Sequence, residues 1–280
     1  MFKKFKSIAK VIRIQEMPLS VPFAGTAALL VSPQFPDVWR LIFLMLAVTA
    51  GFSAGNILNA WADKDIDAKN PRTADRPLVK KELSGKELLL LLAVCGIVML
   101  ACTAALDPFY ILLLPIPIAI CVFYCFCKRF TCFGDIVIGI AHAIAPVAGW
   151  VVFGGFEDWR AILIGAIITF FTVSLAMIYS MQDLEYDKSM GLHSFPVRFG
   201  VRASYVVSVL SNLATVALSI LLVCVVDCGA IFVAALIVSE CMLVVQYLLI
   251  LKDERNARYA FNINQGVSSL IFIASILDKI

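Results

Sequence analysis

The segment from Asn56 to Leu78, NILNAWADKDIDAKNPRTADRPL, follows directly on a long apolar run and crowds Asp63, Asp65, Asp67 and Asp75 together with Arg72 and Arg76. Around a helix axis, residues four apart lie about 40° from one another and residues two apart about 200°. Asn59, Asp63 and Asp67 therefore share one face, with Asp65 on the opposite side. Followed backwards, the same stripe takes in Gly55 and Gly51, so small residues precede an amide and two acids. A glycine stripe of this kind serves either close helix packing or the wall of a deep tunnel. A second segment, YSMQDLEYDKSMGLHSFPVRFG, closes another apolar run in the same way. Asp183 and Asp187 are again four apart, Glu185 is off their face, and Tyr179 lies one turn deeper. The repeated arrangement suggests an old internal duplication.

Two facing pairs of carboxylates repel unless cations lie between them. A donor set made of an amide and several carboxylates suits a hard cation such as Mg²⁺. That ion keeps waters and commonly binds through one or two carboxylates plus phosphate oxygens, so a phosphorylated substrate is implied. Basic residues stand near both motifs: Arg72, Arg76, Lys128, Arg129 and Arg198. Each can serve a phosphate or anchor the chain at the membrane surface.

The elements that must position these groups are membrane helices. The 280 residues are 61% hydrophobic and only 15% charged, far from the balance of a soluble domain. The net charge of +3 gives no reason to expect a nucleic-acid partner. A helix needs about 20 apolar residues to cross a bilayer. Nine such runs are predicted, over 19–33, 39–62, 87–105, 109–127, 136–155, 160–181, 204–226, 229–250 and 262–277. Pro115 and Pro117 are expected to kink the fourth. The start, MFKKFKSIAKVIRI, is basic and amphipathic; residues 1–18 read as an interfacial helix rather than the apolar core of a signal peptide. The nine cysteines are scattered through apolar runs without a CxxC pair and read as small apolar residues.

Lys and Arg alternate sharply between connections. The N-terminus carries five, the 63–86 loop seven, the 128–135 loop two, and the 182–203 and 251–261 loops three each, whereas Arg40, Arg160 and Lys279 alone lie elsewhere. The positive-inside rule then puts the N-terminus and these four loops in the cytoplasm. Both acidic motifs fall on that side. The fold expected is all-α, a polytopic membrane bundle of nine helices forming a single domain over 1–280, with 63–86 and 182–203 as cytoplasmic motif loops.

The run N59-A-W-A-D63-K-D-I-D67 with N-P-R72-T-A-D-R76-P-L after it resembles the first signature of the UbiA superfamily of intramembrane prenyltransferases. D183-L-E-Y-D187 followed by G-L-H-S-F-P-V-R-F-G resembles the second, and Y124-C-F-C-K128-R129-F-T is similar to the family's loop after the fourth helix. The resemblance spans residues 10 to 265. The chain departs from it at Ala60, where many members have Asp. The wording around the motifs most resembles the branch associated with menaquinone made through futalosine, although that branch often carries His near the position of Glu16.

The resemblance implies an enzyme that moves a polyprenyl group from its diphosphate to a hydroxylated aromatic carboxylate, 4-hydroxybenzoate or a dihydroxynaphthoate, in ubiquinone or menaquinone synthesis at a bacterial inner membrane. It implies Mg²⁺ held by Asn59, Asp63, Asp67, Asp183 and Asp187. Arg72, Lys128 and Arg129 are the expected diphosphate contacts. Tyr124 and Tyr179 are either the aromatic rings facing an allylic cation or interfacial anchors, and Arg13 either meets the acceptor carboxylate or the membrane surface. A transporter would instead place its acids near the midplane, and a lipid-headgroup phosphotransferase would need them in one contiguous array.

Overall fold

The computed structural model describes residues 2–252 and 257–280. Residues 253–256, inside the predicted basic 251–261 loop, lie outside the described residues. Twelve α-helices follow in chain order: α1 Phe2–Val11, α2 Val21–Val31, α3 Val38–Ala62, α4 Lys64–Asp67, α5 Gly85–Leu106, α6 Pro115–Phe126, α7 Gly134–Gly154, α8 Arg160–Gln182, α9 Leu184–Ser189, α10 Phe195–Val225, α11 Ala230–Lys252 and α12 Ala257–Leu277. There is no strand among the described residues, so the all-α expectation holds.

Among the described residues, eight helical stretches are long and apolar enough to cross a membrane, where nine were expected. The first of the eight, Lys3–Val31, takes in the predicted 19–33 run. The 19–33 run yields only the 11-residue α2. It reaches spanning length through α1 and a 3₁₀ segment, Ile14–Leu19 with Pro18 inside it. At the other end, α12, Ala257–Leu277, contains the predicted 262–277 run, and its stretch Ile263–Leu277 is apolar. The chain is a multi-pass membrane protein. Ile162 (75% exposed) and Leu89 (68%) are among many large apolar side chains left uncovered, as suits a surface whose solvent is lipid.

Two helices form the centre. Most of α8 is buried, packed between α7 and α10, and α2 lies against α7, α12 and α3. Small residues permit the close approaches. A Cβ on Gly149 of α7 would overlap the backbone carbonyl of Ala24 in α2, and one on Gly139 would come within 2.8 Å of the Thr169 carbonyl oxygen in α8. Gly51 and Gly55 do not play this part. Their hypothetical Cβ atoms meet only Met99 Sδ at 3.5 Å and Cys121 Sγ at 3.9 Å.

Proline and glycine place the breaks. Ahead of Pro115, the predicted fourth run is a 3₁₀ segment, Pro108–Leu113, and α6 begins only at the proline. Inside α10, Gly200 takes φ 82° and ψ 164°, a conformation essentially restricted to glycine.

The N-terminal helix is docked on the loop between α4 and α5. Val11 packs in a cluster with Ile57, Leu78, Leu83 and Leu88. Ser7 Oγ donates to Glu82 at 2.6 Å, and Lys4 pairs with Glu87 at 2.5 Å. Phe5 stays exposed on the other side, which preserves the amphipathic character expected of residues 1–18.

Candidate active site

The two acidic motifs are built alike to within a degree. Asp63 caps the C-terminus of α3 with φ −92° and ψ 3°; Asp183 caps α8 with φ −92° and ψ 2°. The long helix stops at each aspartate and a short helix, α4 or α9, resumes at once. The amide of Asp67 still donates to the Asp63 carbonyl at 2.7 Å, and that of Asp187 to Asp183 at 2.7 Å. Each break keeps the two acids of its pair one turn apart. In both motifs the intervening acid, Asp65 or Glu185, is exposed, whereas Asp67, Asp183 and Asp187 are buried, Asp187 to 1%. The expected stripe is therefore a helix–break–helix corner rather than one continuous face.

The two corners meet. Tyr186 of α9 donates its hydroxyl to the carbonyl of Ile66 in α4 at 2.5 Å. These are equivalent positions of the two motifs, separated by the same 120 residues as their aspartates. Beyond α4 the chain turns back, with Thr73 Oγ1 on the Asp67 carbonyl and the Arg72 amide on Asn70 Oδ1. That turn delivers Arg72 to the second motif, where Nε and Nη2 bind Asp183 at 2.9 and 2.5 Å, with Asn70 Nδ2 on the same carboxylate at 3.4 Å. Arg76 pairs with Asp67 at 2.5 Å. From just beyond α6, Lys128 reaches Asp187 at 3.5 Å, and its carbonyl accepts the His193 backbone amide at 2.7 Å, tying this segment to the second motif loop.

The charges are almost balanced. Three of the four motif carboxylates face a basic side chain; Asp63 has neither ion pair nor hydrogen bond. Burial and then the neighbouring Asp67 charge push its pKa up. Burial also raises Asp187, against the pull of Lys128. For Asp183, burial is outweighed by the hydrogen bonds and charge of Arg72, which hold it below the ordinary carboxylate value.

Among the described residues, no three His, Cys, Asp or Glu side chains are drawn together closely enough to hold a metal ion. Of the expected ligands, Asp67, Asp183 and Asp187 are paired with Arg76, Arg72 and Lys128, Asp63 is unpaired, and Asn59 lies one turn earlier in α3, where its backbone carbonyl accepts the Asp63 amide; they form no coordination cluster. The donor set still fits a hard divalent cation. It is all oxygen, largely buried, and keeps one unmatched carboxylate.

Arg129, an expected diphosphate contact, is engaged at the end of α3. Its guanidinium donates to the Ala62 carbonyl at the end of α3 and stands over the Phe126 ring at 5.1 Å. Tyr124, half-buried near the end of α6, lies within electrostatic reach of Arg13, Asp63 and Asp135. Arg13 ends α1, pairs with Glu16 at 3.0 Å, and lies within electrostatic reach of Tyr124 and Asp67. Four contributors escaped sequence reasoning: Asn70, Tyr186, Glu16, and Asp135 at the start of α7, which is coupled to Lys128 and Asp187. The 120-residue offset could have pointed to Tyr186; the others carry no signal apart from their contacts.

The Tyr186 bridge sets the spacing of the motifs with one neutral hydrogen bond, worth about 1 kcal/mol. Tyr186→Phe is expected to raise the divalent-metal concentration for half-maximal activity about three- to ten-fold, with little change in rate at saturating metal. Steady-state titration of metal against rate separates this from a general loss of fold, which would lower the plateau instead.

A lipid-exposed helical bundle that gathers buried carboxylates and cations at one set of helix ends is the framework of an intramembrane enzyme. Residues 20–276 match the UbiA prenyltransferase family; the chain belongs to that family and is a prenyltransferase. It is similar to a 4-hydroxybenzoate octaprenyltransferase of Francisella tularensis subsp. novicida, with 27% identity over 268 residues covering 91% of this chain and 90% of the relative. Among solved structures, the apo form of a UbiA homolog from Aeropyrum pernix K1 superposes with a TM-score of 0.87 at 29% identity, over 95% of this chain and 99% of the other. A UbiA homolog from Archaeoglobus fulgidus bound to GPP and Mg²⁺ shares the fold, with a TM-score of 0.70 at 19% identity, over 98% and 99%.

Proposed function

We propose that the enzyme transfers a polyprenyl group from polyprenyl diphosphate to a hydroxylated aromatic carboxylate, in a Mg²⁺-dependent reaction of quinone biosynthesis. The observation that carries this reading is the contact between the two acid-bearing corners through Tyr186 and Arg72. The name of the Francisella relative favours 4-hydroxybenzoate as acceptor; the motif wording keeps a dihydroxynaphthoate, and hence menaquinone, as the second candidate. On this reading the nine apolar runs all belong to the bundle, with the N-terminus and the active site on the cytoplasmic side of a bacterial inner membrane. The positive-inside distribution supports that orientation.

Each residue has a part to play. Asn59, Asp63, Asp67, Asp183 and Asp187 would hold the metal, which when bound neutralises the leaving diphosphate as a Lewis acid. Arg72 and Lys128 exchange their carboxylate partners for diphosphate oxygens, to which guanidinium and ammonium donors bind with charge assistance. Arg129, on the same loop, adds positive potential while its guanidinium pins α6 to α3. The allylic C–O bond breaks and its electron pair leaves with the diphosphate. Tyr124 and Tyr179 present ring faces to the resulting cation, an attraction of about 2 kcal/mol once desolvated, and exclude water from it. A ring carbon of the acceptor then forms the new C–C bond and loses its proton. Arg13 orients the acceptor through its carboxylate.

Membranes containing the protein are expected to convert radiolabelled polyprenyl diphosphate and 4-hydroxybenzoate, or the dihydroxynaphthoate, into a prenylated product. EDTA abolishes this conversion and added Mg²⁺ restores it. Conversion undiminished by EDTA removes the metal from the mechanism; uptake of either compound without covalent product supports transport instead.

A further inference from the structure

The pair formed by Arg13 and Glu16 stands apart from the other ion pairs of the site. Arg72, Arg76 and Lys128 are each matched by an aspartate of the two motifs. Arg13 is matched by Glu16, which belongs to neither. The pair is local, three residues apart, and partly open, with 29% and 23% of the two side chains exposed. The backbone at Arg13 is also unusual. It takes φ 51° and ψ 51°, the left-handed region that side chains other than glycine seldom adopt. That conformation ends α1 and starts the 3₁₀ segment carrying Glu16. Arg13 lines one cavity with Val11, Ala60, Asp67, Arg76 and Pro77, next to the first acidic motif. The arrangement is a cation held ready for a carboxylate, with a carboxylate already on it.

We propose that Glu16 is a built-in competitor for the acceptor's carboxylate. It occupies Arg13 in the ligand-free enzyme and must be displaced when the acceptor binds, so it sets acceptor affinity and selectivity without touching the diphosphate. This rests on the reading that Arg13 receives the acceptor. Because Glu16 is tethered, it neutralises Arg13 between turnovers and keeps the cation from capturing indiscriminate anions. An acceptor wins the exchange only if its ring is also accommodated in the cavity beside Ala60 and Pro77. A purely structural role is the alternative, in which the pair fastens the turn between α1 and the 3₁₀ segment.

The two roles give opposite signs. Binding of radiolabelled 4-hydroxybenzoate and of its uncharged amide, 4-hydroxybenzamide, is measured by equilibrium dialysis on the full-length protein in nanodiscs. Glu16→Gln is expected to tighten 4-hydroxybenzoate binding about five-fold, equivalent to about 1 kcal/mol, with the gain confined to the ligand bearing the carboxylate. Arg13→Gln is expected to weaken the same ligand about ten-fold. Glu16→Ser gives a second, smaller replacement should the glutamine variant fail to fold. If Glu16→Gln and Glu16→Ser bind 4-hydroxybenzoate no more tightly than the parent, or if parent and variants alike fail to bind it, the competitor role is overturned. Normal, Glu16-sensitive binding with no prenylated product would overturn the proposed transfer reaction and leave the competitor role standing.

Discussion

Asp187→Asn is expected to lower prenyl transfer at least about a thousand-fold, equivalent to about 4 kcal/mol of transition-state stabilisation. The substitution keeps the shape of a side chain that is only 1% exposed and leaves the Asp187 amide free to close its turn on Asp183. What it removes is a charge and one hard oxygen donor, and it deprives Lys128 of its partner. Asp63→Asn is expected to cost as much for a different reason. Among the described residues, Asp63 is the one acid of the four whose carboxylate is not directly paired with a basic side chain, Lys128, Arg76 and Arg129 acting on it only from a distance, so its oxygens are the most available to a cation. The double variant gives the sharper result. If both acids serve one assembly, removing the second costs little beyond the first. Initial rates at saturating Mg²⁺, normalised to folded protein by size-exclusion chromatography, check this. Independent, multiplicative losses would mean that the two motifs do not act on the same bound group.

Gly149→Leu is expected to leave no folded protein. The obstacle is backbone. Any Cβ at this position overlaps the carbonyl of Ala24, a residue with no exposed surface in a helix buried along most of its length. Relief would require α2 and α7 to move apart along a seam that also holds Trp150 and Phe23. Overpacking a core against side chains typically costs 1–3 kcal/mol; here no rotamer change can absorb it. Gly55→Ala supplies the contrast, since its added methyl would meet only Cys121 Sγ at 3.9 Å. Fluorescence-detected size-exclusion chromatography of the two variants should show an aggregated or absent peak for the first and a parental peak for the second.

That contrast also marks where sequence reasoning reached its limit. The 3.6-residue period and the apolar lengths were enough to find every long helix, because a membrane span must satisfy its backbone internally and must be long. The four-residue spacing of Asp63 with Asp67 and of Asp183 with Asp187 was legible, as was their repetition at a fixed offset. The glycine stripe Gly51–Gly55 looked like a packing motif, yet the close approaches fall at Gly139 and Gly149, since which glycine faces a neighbouring backbone depends on helix rotation. Near the chain's start, hydropathy registered the apolar content of 19–33, whereas Pro18, inside the 3₁₀ segment, helps decide that α2 begins only at Val21. The partners of Arg72 and Arg129 depend on segments folding back over distance, and nothing in local spacing encodes that. Tyr186 lies between the two cases. Its number relative to Ile66 was readable; its hydrogen bond was not.

The near balance of charge at the mouth has a kinetic meaning. A cleft lined by bare arginines would draw anions from several ångströms away and release them reluctantly. Here most of the long-range field is cancelled internally, so an arriving anion, the diphosphate of the proposed reaction, would feel little pull until it is close enough to trade places with a carboxylate. Capture then depends on a swap made at contact distance, which ambient salt screens weakly, and departure of the inorganic product is helped by acids waiting to reclaim their cations.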